Sequence, residues 1–484
     1  MIFSSPGFIF AFLPLVFLVA VLLRRIRSGT TSILIWLTMS SLFFYAFWRY
    51  EYLLLIAVSI LGNWLISLWI RRTASTSRVP VFVGIVLNLL AIGFFKYFDF
   101  FISNTNALLG SEYSEWGILL PLGISFFTFQ QIAFLVDTHR GLAGPTKFLE
   151  YSFFVSFFPQ LIAGPIVHHR HILPGIRDGS SLQINAEQTL KGLHAFAIGL
   201  AKKVILADSL AVAASQIFDA ADAGHQISTY HAAIGTLSYT FQIYFDFSGY
   251  TDMAIGLGYM FGIELPKNFD SPYKSRSIIE FWRRWHMTLS EFLRDYIYIP
   301  LGGNRKGARR RYFNLLGTML IGGLWHGASW PFVFWGALHG MFLVVNHGIS
   351  KVLPEPGRPW QRHLLGSCGF VLTFTVVALA WIPFRAVTWS GMLRMYEGLI
   401  GIFHSRPNVM DLELNAPDMV EWVLAAGVIS FLFPNTWTLL QRFDSLKGVH
   451  RLGSNLVTIA CLTASLYFLI YHANRVSEFI YFNF

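Results

Sequence analysis

The stretch GGLWHGASWPFVFWGALHG at 322–340 places His326 inside apolar sequence. A second histidine, His286, lies in the stretch EFWRRWHMTLSEFLRDYIYIPLGG at 280–303. Hydrocarbon surroundings disfavour a charged or unpaired polar group, so ionisable residues within membrane spans are rare and indicate functional sites. Imidazole is also the side chain best suited to proton transfer near neutral pH. These two histidines are therefore the candidate catalytic residues.

The composition of the whole chain is that of a polytopic membrane protein. Of its 484 residues, 54% are hydrophobic, 17% aromatic and 13% charged, whereas soluble domains carry roughly 25% charged residues. Apolar stretches that approach the length of a membrane span lie at 7–23, 31–48, 52–70, 80–97, 117–136, 192–217, 229–247, 250–265, 313–330, 332–348, 365–385, 420–434 and 455–472. Because some of these stretches are short or polar, we expect an all-α fold with about eleven transmembrane helices.

We expect one membrane-embedded domain over 1–484, with the chemistry-bearing motifs at 121–345 and a helical C-terminal region at 349–484. No basic segment precedes the first apolar stretch and no small-residue cleavage site follows it, so we interpret it as a retained span. Cys368 and Cys461 lack the spacing of metal ligands, and we expect neither a disulfide nor a zinc site from them.

The net charge of +10 is distributed as in membrane loops rather than as on a nucleic-acid-binding surface. Basic residues follow the first, third and fifth apolar stretches, namely Arg24, Arg25, Arg27, Arg71, Arg72, Arg78, Arg140 and Lys147. By the positive-inside rule these loops are cytosolic and the N-terminus lies outside. The loop 102–116 has no Lys or Arg, as an outer loop should. We expect contacts with membrane lipids and no nucleic-acid partner.

Three segments depart from simple spans. Pro159 and Pro165 interrupt the apolar segment 150–166, which predicts a re-entrant or half-spanning element covered by protein. Apolar and charged residues occupy different faces of 280–299, which predicts one amphipathic helix along the cytosolic interface. The basic run 304–311 follows it and is also expected in the cytosol.

The depth of His326 in the bilayer follows from helix geometry. A helix that enters the hydrocarbon near Leu315 and rises about 1.5 Å per residue places His326 roughly 16 Å deep, close to the midplane. His286 is expected near the cytosolic surface. The alternatives remain open at this point: His326 as a hydrogen-bonding residue between helices, and His286 as an interfacial anchor.

Other ionisable residues favour a structural role. They are Asp246 and Asp252 in QIYFDFSGYTDMAIG (242–256), and His339 and His347. The segment HHRH at 168–171 predicts a solvated cytosolic loop, with a metal site as the less favoured alternative. We expect no metal centre in the chain.

No nucleophile elbow with a plausible triad, P-loop or dinucleotide fingerprint is present. A deep histidine without a protein nucleophile suits direct acyl transfer. The imidazole removes a proton from an acceptor hydroxyl, which then attacks a thioester or another activated acyl group.

The motifs resemble the membrane-bound O-acyltransferase family. The similarity is carried by QIYFDFSGYTDMAIGLGYMFGIELPKNFDSPYKSRSIIEFWRRWHMTLSEFLRDYIYIPLGG (242–303), GGLWHGASWPFVFWGALHG (322–340), PLGISFFTFQQIAFLVDTHRG (121–141) and FFPQLIAGPIVHH (157–169). Within the family these motifs are similar to the bacterial branch that acetylates exported polysaccharides such as alginate.

The resemblance implies that His326 matches the catalytic histidine of the family and His286 its second functional histidine. It further implies a ring of spans around a central tunnel, no cofactor, acetyl-CoA as the donor, and the bacterial inner membrane as the location. A separate periplasmic acetyltransferase of the serine-hydrolase (SGNH) type and a polysaccharide acceptor are the expected partners. Residues expected to contact donor or substrate are Trp285, Arg284, Asn268, Trp325 and Asp246.

Two other functions remain open from the sequence. One is acyl or D-alanyl transfer to teichoic acid, peptidoglycan or another cell-envelope polymer. The other is a proton-coupled transporter that uses the intramembrane histidine as a proton relay. Transporters often contain inverted repeats, and no internal repeat is evident in this sequence.

Overall fold

A computed structural model describes residues 2–26, 29–73, 77–352, 358–401, 416–446, 448–471 and 479–480. Up to residue 201 the helices are α1 (Leu13–Arg25), α2 (Thr30–Ala46), α3 (Glu51–Thr73), α4 (Val79–Leu109), α5 (Ile124–His139), α6 (Phe148–Ser156), α7 (Phe158–Leu161), α8 (His169–Arg177) and α9 (Ala186–Ala201). The later helices are α10 (Asp208–Asp222), α11 (Thr229–Met260), α12 (Ile278–Arg284), α13 (Met287–Leu293), α14 (Gly307–His326), α15 (Trp330–Val352), α16 (Pro359–Arg385), α17 (Trp389–Ile400), α18 (Ala416–Leu432), α19 (Thr436–Ser445) and α20 (Gly448–Tyr471). The remaining regular elements are π-helical turns at Phe8–Phe12, Lys202–Ala207 and Arg294–Tyr298, and a 3₁₀ turn at Pro272–Lys274.

The chain divides into two compact units, each assembled from segments that are separate in sequence. The first unit comprises Met1–Gly199, Tyr250–Lys267 and Leu446–Thr458. The second comprises Leu200–Gly249, Asn268–Ser445 and Ile459–Phe484. Both candidate catalytic histidines belong to the second unit. The sequence-based expectation of a single domain stays a prediction.

The all-α, polytopic class predicted from the sequence is confirmed. Among the described residues, six helices are long and apolar enough to cross a membrane: Phe8–Arg25, Glu51–Thr73, Val79–Leu109, Trp330–Ser350, Pro359–Arg385 and Arg451–Tyr471. A seventh is added if Met419–Leu432 and Thr436–Ser445, which meet at a bend of 52°, form one broken span. The count is lower than the predicted eleven because several apolar stretches lie in helices that are short, such as α2, or rich in buried polar residues, such as α11.

The predicted separation of spans at 229–247 and 250–265 is wrong. Most of the two stretches, from Thr229 to Met260, forms the single 32-residue helix α11, which runs through Gly249 without a break. One glycine inside a helix costs only about 1 kcal/mol relative to alanine, which burial of the surrounding side chains offsets. Similarly, α4 continues to Leu109, so the predicted outer loop begins only at Gly110, where a φ of 63° ends the helix.

The segment 150–166 is broken, as its prolines predicted. Helices α6 and α7 are separated by Phe157, whose φ of −50° and ψ of 111° interrupt the helical path. Phe154, Phe157 and Phe158 are fully buried, so protein covers the irregular backbone.

Elsewhere in the first unit, Asn63 on α3 and Asn88 on α4 exchange amide hydrogen bonds of 3.3 and 2.6 Å. Such polar pairs join helices in a bilayer.

In the second unit, α14 and α15 form a closely packed helical hairpin, and α14 ends at His326. Glycines allow the close approach. A methyl group on Gly323 would collide with the carbonyl oxygen of Phe332, and one on Gly336 with that of Met319. Gly323 and Gly336 therefore serve helix packing.

Candidate active site

His326 is the last residue of α14 and is 3% exposed. Three aromatic rings surround its imidazole. The centroid of Trp325 lies 4.9 Å away, and the rings of Trp335 and Phe384 stand edge-on at 5.0 Å each. The helix stops here because Gly327 takes an extended conformation, with φ −164° and ψ 152°. The imidazole is thus placed at a helix end inside an aromatic enclosure.

His286 is fully buried between the short helices α12 and α13. Its φ of 42° and ψ of 55° are left-handed, which is uncommon outside glycine, although histidine, asparagine and aspartate adopt it more readily than other residues. Such backbone strain costs on the order of 1–3 kcal/mol and clusters at functional sites. The predicted single amphipathic helix over 280–299 is therefore wrong. The left-handed residue redirects the chain and takes His286 away from the exposed interface.

Asn268 fixes the orientation of His286. The Oδ1 of Asn268 accepts hydrogen bonds from the backbone N–H of Thr288 at 3.2 Å and from its hydroxyl at 2.9 Å. The same oxygen lies 3.1 Å from Nδ1 of His286. The backbone N–H of Thr288 requires an acceptor, which identifies this atom of Asn268 as the amide oxygen. Because an amide oxygen can only accept, Nδ1 of His286 must be the donor. In the neutral imidazole the Nε2 is then the acceptor nitrogen.

Burial also determines the charge of His286. Its removal from water lowers its pKa to about 3. The ring of Phe247 stands edge-on to the imidazole at 4.7 Å and 89°, and adds no compensating charge. His286 is therefore neutral at physiological pH.

Trp325 links the two histidines into one cluster. Its ring centroid lies 6.1 Å from that of His286 and 4.9 Å from that of His326. His339 joins the cluster through Trp335, with centroids 4.7 Å apart, and is fully buried. Within the described part of the chain, neither ring nitrogen of His339 has a hydrogen-bond partner.

Trp285 and Arg284 have structural contacts of their own. Trp285 is 1% exposed, and its ring packs on those of Phe281 at 5.6 Å and Trp381 at 4.9 Å. Trp381 in turn stacks on Trp335, so Trp285 packs against the cluster through Trp381. Arg284 lies one helical turn from Glu280, with which it forms a 2.7 Å ion pair. Its positive charge is therefore largely offset by its own helix.

Asp246 is anchored by a buried lysine. Its Oδ1 lies 3.1 Å from Nζ of Lys203, and its Oδ2 accepts a 2.9 Å hydrogen bond from the backbone N–H of Ile480. Lys203 also pairs with Asp208 at 2.7 Å. The tethering role that the sequence favoured for Asp246 agrees with these contacts.

The sequence reasoning missed several residues around the histidines, and also the lysine that pairs with Asp246: Phe247, Thr288, Trp335, Trp381, Phe384 and Lys203. Trp381 and Phe384 come from α16, and no local pattern connects them to the histidines. Lys203 did carry a signal in the sequence. It lies between GLAK (199–202) and VILAD (204–208), and a lysine in such apolar sequence is expected to pair with a buried acidic group.

A buried imidazole at a helix end, held among rings and beside a second neutral imidazole, can accept a proton from a bound hydroxyl. The model of the membrane-bound O-acyltransferase (MBOAT) family matches residues 42–380. The chain belongs to this family. It is accordingly a multi-pass membrane acyltransferase, and His286, His326, Asn268 and Trp325 all lie within the matched residues.

Individual relatives have different acceptors. A peptidoglycan O-acetyltransferase of Helicobacter pylori is 40% identical over 100% of this chain and 98% of its own length. A probable alginate O-acetylase of Pseudomonas aeruginosa is 40% identical over 82% of this chain and 75% of its own length. A teichoic acid D-alanyltransferase of Bacillus subtilis is 28% identical over 54% of this chain and 68% of its own length.

Proposed function

We propose that this acyltransferase moves acetyl groups from cytosolic acetyl-CoA across the bacterial inner membrane for O-acetylation of an exported glycan, with His326 as the general base. The observation that carries this proposal is the enclosure of His326 by Trp325, Trp335 and Phe384 at the buried end of α14. Exclusion of water from such a site protects a reactive acyl group from hydrolysis.

The proposed step balances without a cofactor. His326 takes the proton of the acceptor O–H, and the oxygen attacks the thioester carbonyl carbon. The carbon–sulfur bond then breaks, and the leaving thiolate recovers the proton to give free CoA. General-base catalysis of this kind contributes roughly 10²–10⁴-fold in rate.

His286 has a different part in the same proposal. Its Nδ1–H is committed to Asn268, so the neutral Nε2 accepts a hydrogen bond and cannot donate one to a carbonyl oxygen. We therefore assign His286 to positioning a substrate N–H or O–H group. Polarisation of the donor carbonyl by His286 does not fit this tautomer.

For the glycan that finally carries the acetyl group, we favour the peptidoglycan of the cell wall over alginate. The supporting observation is coverage: the similarity to the peptidoglycan O-acetyltransferase extends over 98% of that relative, whereas the alginate O-acetylase is matched over 75% of its length. The sequence motifs alone had favoured an exported polysaccharide such as alginate. D-alanyl transfer to teichoic acid is the weaker alternative.

Deletion of the gene and complementation test the acceptor and the base together. Ester-linked acetate is released by mild alkali from purified cell walls and, separately, from exopolysaccharide; ester-linked D-alanine is measured in parallel. We expect wall acetate to disappear on deletion, to return with the wild type and with His347→Ala, and to stay absent with His326→Ala. His347 is a matched control because it lies on the next helix and is partly exposed.

Two results would overturn parts of this proposal. Normal wall acetate with a folded His326→Ala protein would remove His326 from the catalytic role. Loss of acetate from exopolysaccharide alone would identify an alginate-like polymer as the acceptor. Loss of D-alanine alone would identify teichoic acid.

The periplasmic relay is tested by reconstitution. With acetyl-CoA supplied inside proteoliposomes and glycan outside, the purified chain should acetylate glycan poorly until a serine-hydrolase-type acetyltransferase is added. Efficient acetylation by the chain alone would make it the terminal enzyme.

Labelling of Gly307→Cys by an impermeant thiol reagent from the periplasmic side would contradict the proposed orientation, in which the basic run 304–311 is cytosolic.

A further inference from the structure

A cluster of potential metal ligands lies in the first unit. Asp137, near the end of α5, is 2% exposed, and His169, the first residue of α8, is 7% exposed. The Oδ2 of Asp137 lies 2.6 Å from Nε2 of His168 and 3.3 Å from Nε2 of His169. These three atoms all lie within 4.8 Å of one another. The predicted solvated loop is therefore wrong for His169, because it packs on a buried carboxylate.

The spacing suits a small divalent cation. Zinc bonds of about 2.0–2.1 Å in a tetrahedral site place neighbouring ligand atoms about 3.3 Å apart. The separation of 3.3 Å between Asp137 and His169 already matches this value. His168 has to move outward by about 0.7 Å to reach it. Its side chain is 21% exposed, compared with 8% for His169 and 3% for Asp137.

Neighbouring residues hold this arrangement in place. The carbonyl oxygen of Asp137 accepts backbone hydrogen bonds from Leu142 at 2.8 Å and Ala143 at 3.2 Å, which fix the turn after α5. The ring of Phe134 stands edge-on to His169 at 5.8 Å. Arg140 approaches the other carboxylate oxygen, Oδ1, at 3.7 Å, whereas both histidines lie against Oδ2.

We propose that Asp137, His168 and His169 form a Zn²⁺ site with a fourth position open to water. Two imidazoles and one carboxylate are a ligand set that zinc uses in proteins. The ion joins the end of α5 to the start of α8, and so closes the chain segment that contains the broken helices α6 and α7. Its expected role is to stabilise this segment of the first unit.

The competing state is a hydrogen-bonded cluster without metal. In that state Nε2–H groups of both histidines donate to Asp137, and Nδ1 of His168 accepts from the backbone N–H of Arg170 at 3.5 Å. Metal binding instead requires both Nε2 atoms to be deprotonated. The two states therefore differ in metal content and in the response to added Zn²⁺.

The test uses the full chain purified in detergent with a tag that contains no histidine, since the chain has 15 histidines of its own. After treatment with a chelator, Co²⁺ is titrated as a zinc probe and its visible absorption is recorded. We expect one Co²⁺ per chain with the intense bands of a tetrahedral ion, displaced by Zn²⁺. His168→Ala, His169→Ala and Asp137→Asn should each weaken binding by at least about 100-fold.

His171→Ala is the matched control. This histidine belongs to the same helix and the same basic segment but not to the ligand cluster, so its removal should leave Co²⁺ binding unchanged. Zn²⁺ should raise the melting temperature of the wild type and of His171→Ala, and should have no effect on His168→Ala, whose partly exposed side chain can be removed with little loss of packing. Binding that survives in the three ligand variants, or an absence of Co²⁺ bands in the wild type, would overturn the site.

Discussion

Histidines in the two units have opposite surroundings. In the first unit, His168 and His169 converge on the carboxylate of Asp137. In the second unit, His286 and His326 lie among aromatic rings, and the polar neighbour of His286 is the neutral amide of Asn268. A carboxylate offers these imidazoles a charged acceptor, whereas burial beside a neutral amide keeps the imidazole of His286 neutral. The same side chain is thereby prepared for two different tasks.

The buried carboxylates of the two units also have different partners. Asp137 shares its Oδ2 between two histidines, whereas the buried carboxylates of the second unit, Asp208 and Asp246, pair with Lys203. Lys203 lies on the π-helical turn Lys202–Ala207. The charges of Asp208 and Asp246 are thus compensated by a lysine rather than by a histidine.

The largest effect is expected at His326. Replacement by alanine should lower acetyl transfer by roughly 10²–10⁴-fold, because one general base is lost while the packing of α14 against α15 is retained. Single-turnover transfer from radiolabelled acetyl-CoA measures the change. His339→Ala should reduce transfer much less, since His339 only adjoins the cluster through Trp335. Equal losses in the two variants would mean that the aromatic enclosure, rather than the base, limits the rate.

The burial of His326 in an apolar helix could be predicted because its signals are local. Depth in the bilayer and the flanking glycines and tryptophans can be read from one stretch of sequence. The surroundings of His286 could not be predicted in this way. Its amphipathic periodicity continues across the break, and a left-handed conformation at histidine has no marker comparable to glycine. The rings of Trp381 and Phe384 were missed because they approach from a helix distant in sequence.

The second largest effect concerns stability. Lys203→Met should destabilise the protein by about 3–5 kcal/mol, because it leaves two buried carboxylates without their cation. Asp246→Asn should cost less, since Lys203 and Asp208 still form a pair at 2.7 Å. Unfolding titrations in mixed micelles compare these variants.

Asp219→Asn is the control for the buried ion pairs. It removes an ion pair with Arg385 whose carboxylate side chain is 64% exposed, so we expect a loss of at most about 1 kcal/mol. A larger loss for Asp246→Asn than for Lys203→Met would show that the stability of these buried carboxylates does not depend on Lys203.

A smaller effect tests the strained backbone at His286. His286→Gly and His286→Ala both remove the imidazole and its bond to Asn268, so both should lower acetyl transfer to the same extent. At a φ of 42° glycine is free of the steric penalty of a side chain, and the glycine variant should be more stable than the alanine variant by about 1–2 kcal/mol. Equal stability of the two variants would remove the argument for strain at this position.

The smallest effect is the pH dependence that His286 adds to stability. Its pKa is about 3 in the folded protein because of burial, and about 6.5 in the unfolded chain. The stability linked to the neutral imidazole is therefore complete above pH 6.5 and is lost as the pH falls toward 3, because the unfolded state binds the extra proton. Between pH 6.5 and 5.5 the wild type should lose about 1 kcal/mol that His286→Gly does not lose. Comparing the two proteins cancels the titration of all other groups. If their stability curves were parallel over this range, the imidazole would not be held neutral, and the contrast between the two histidine environments would fail at His286.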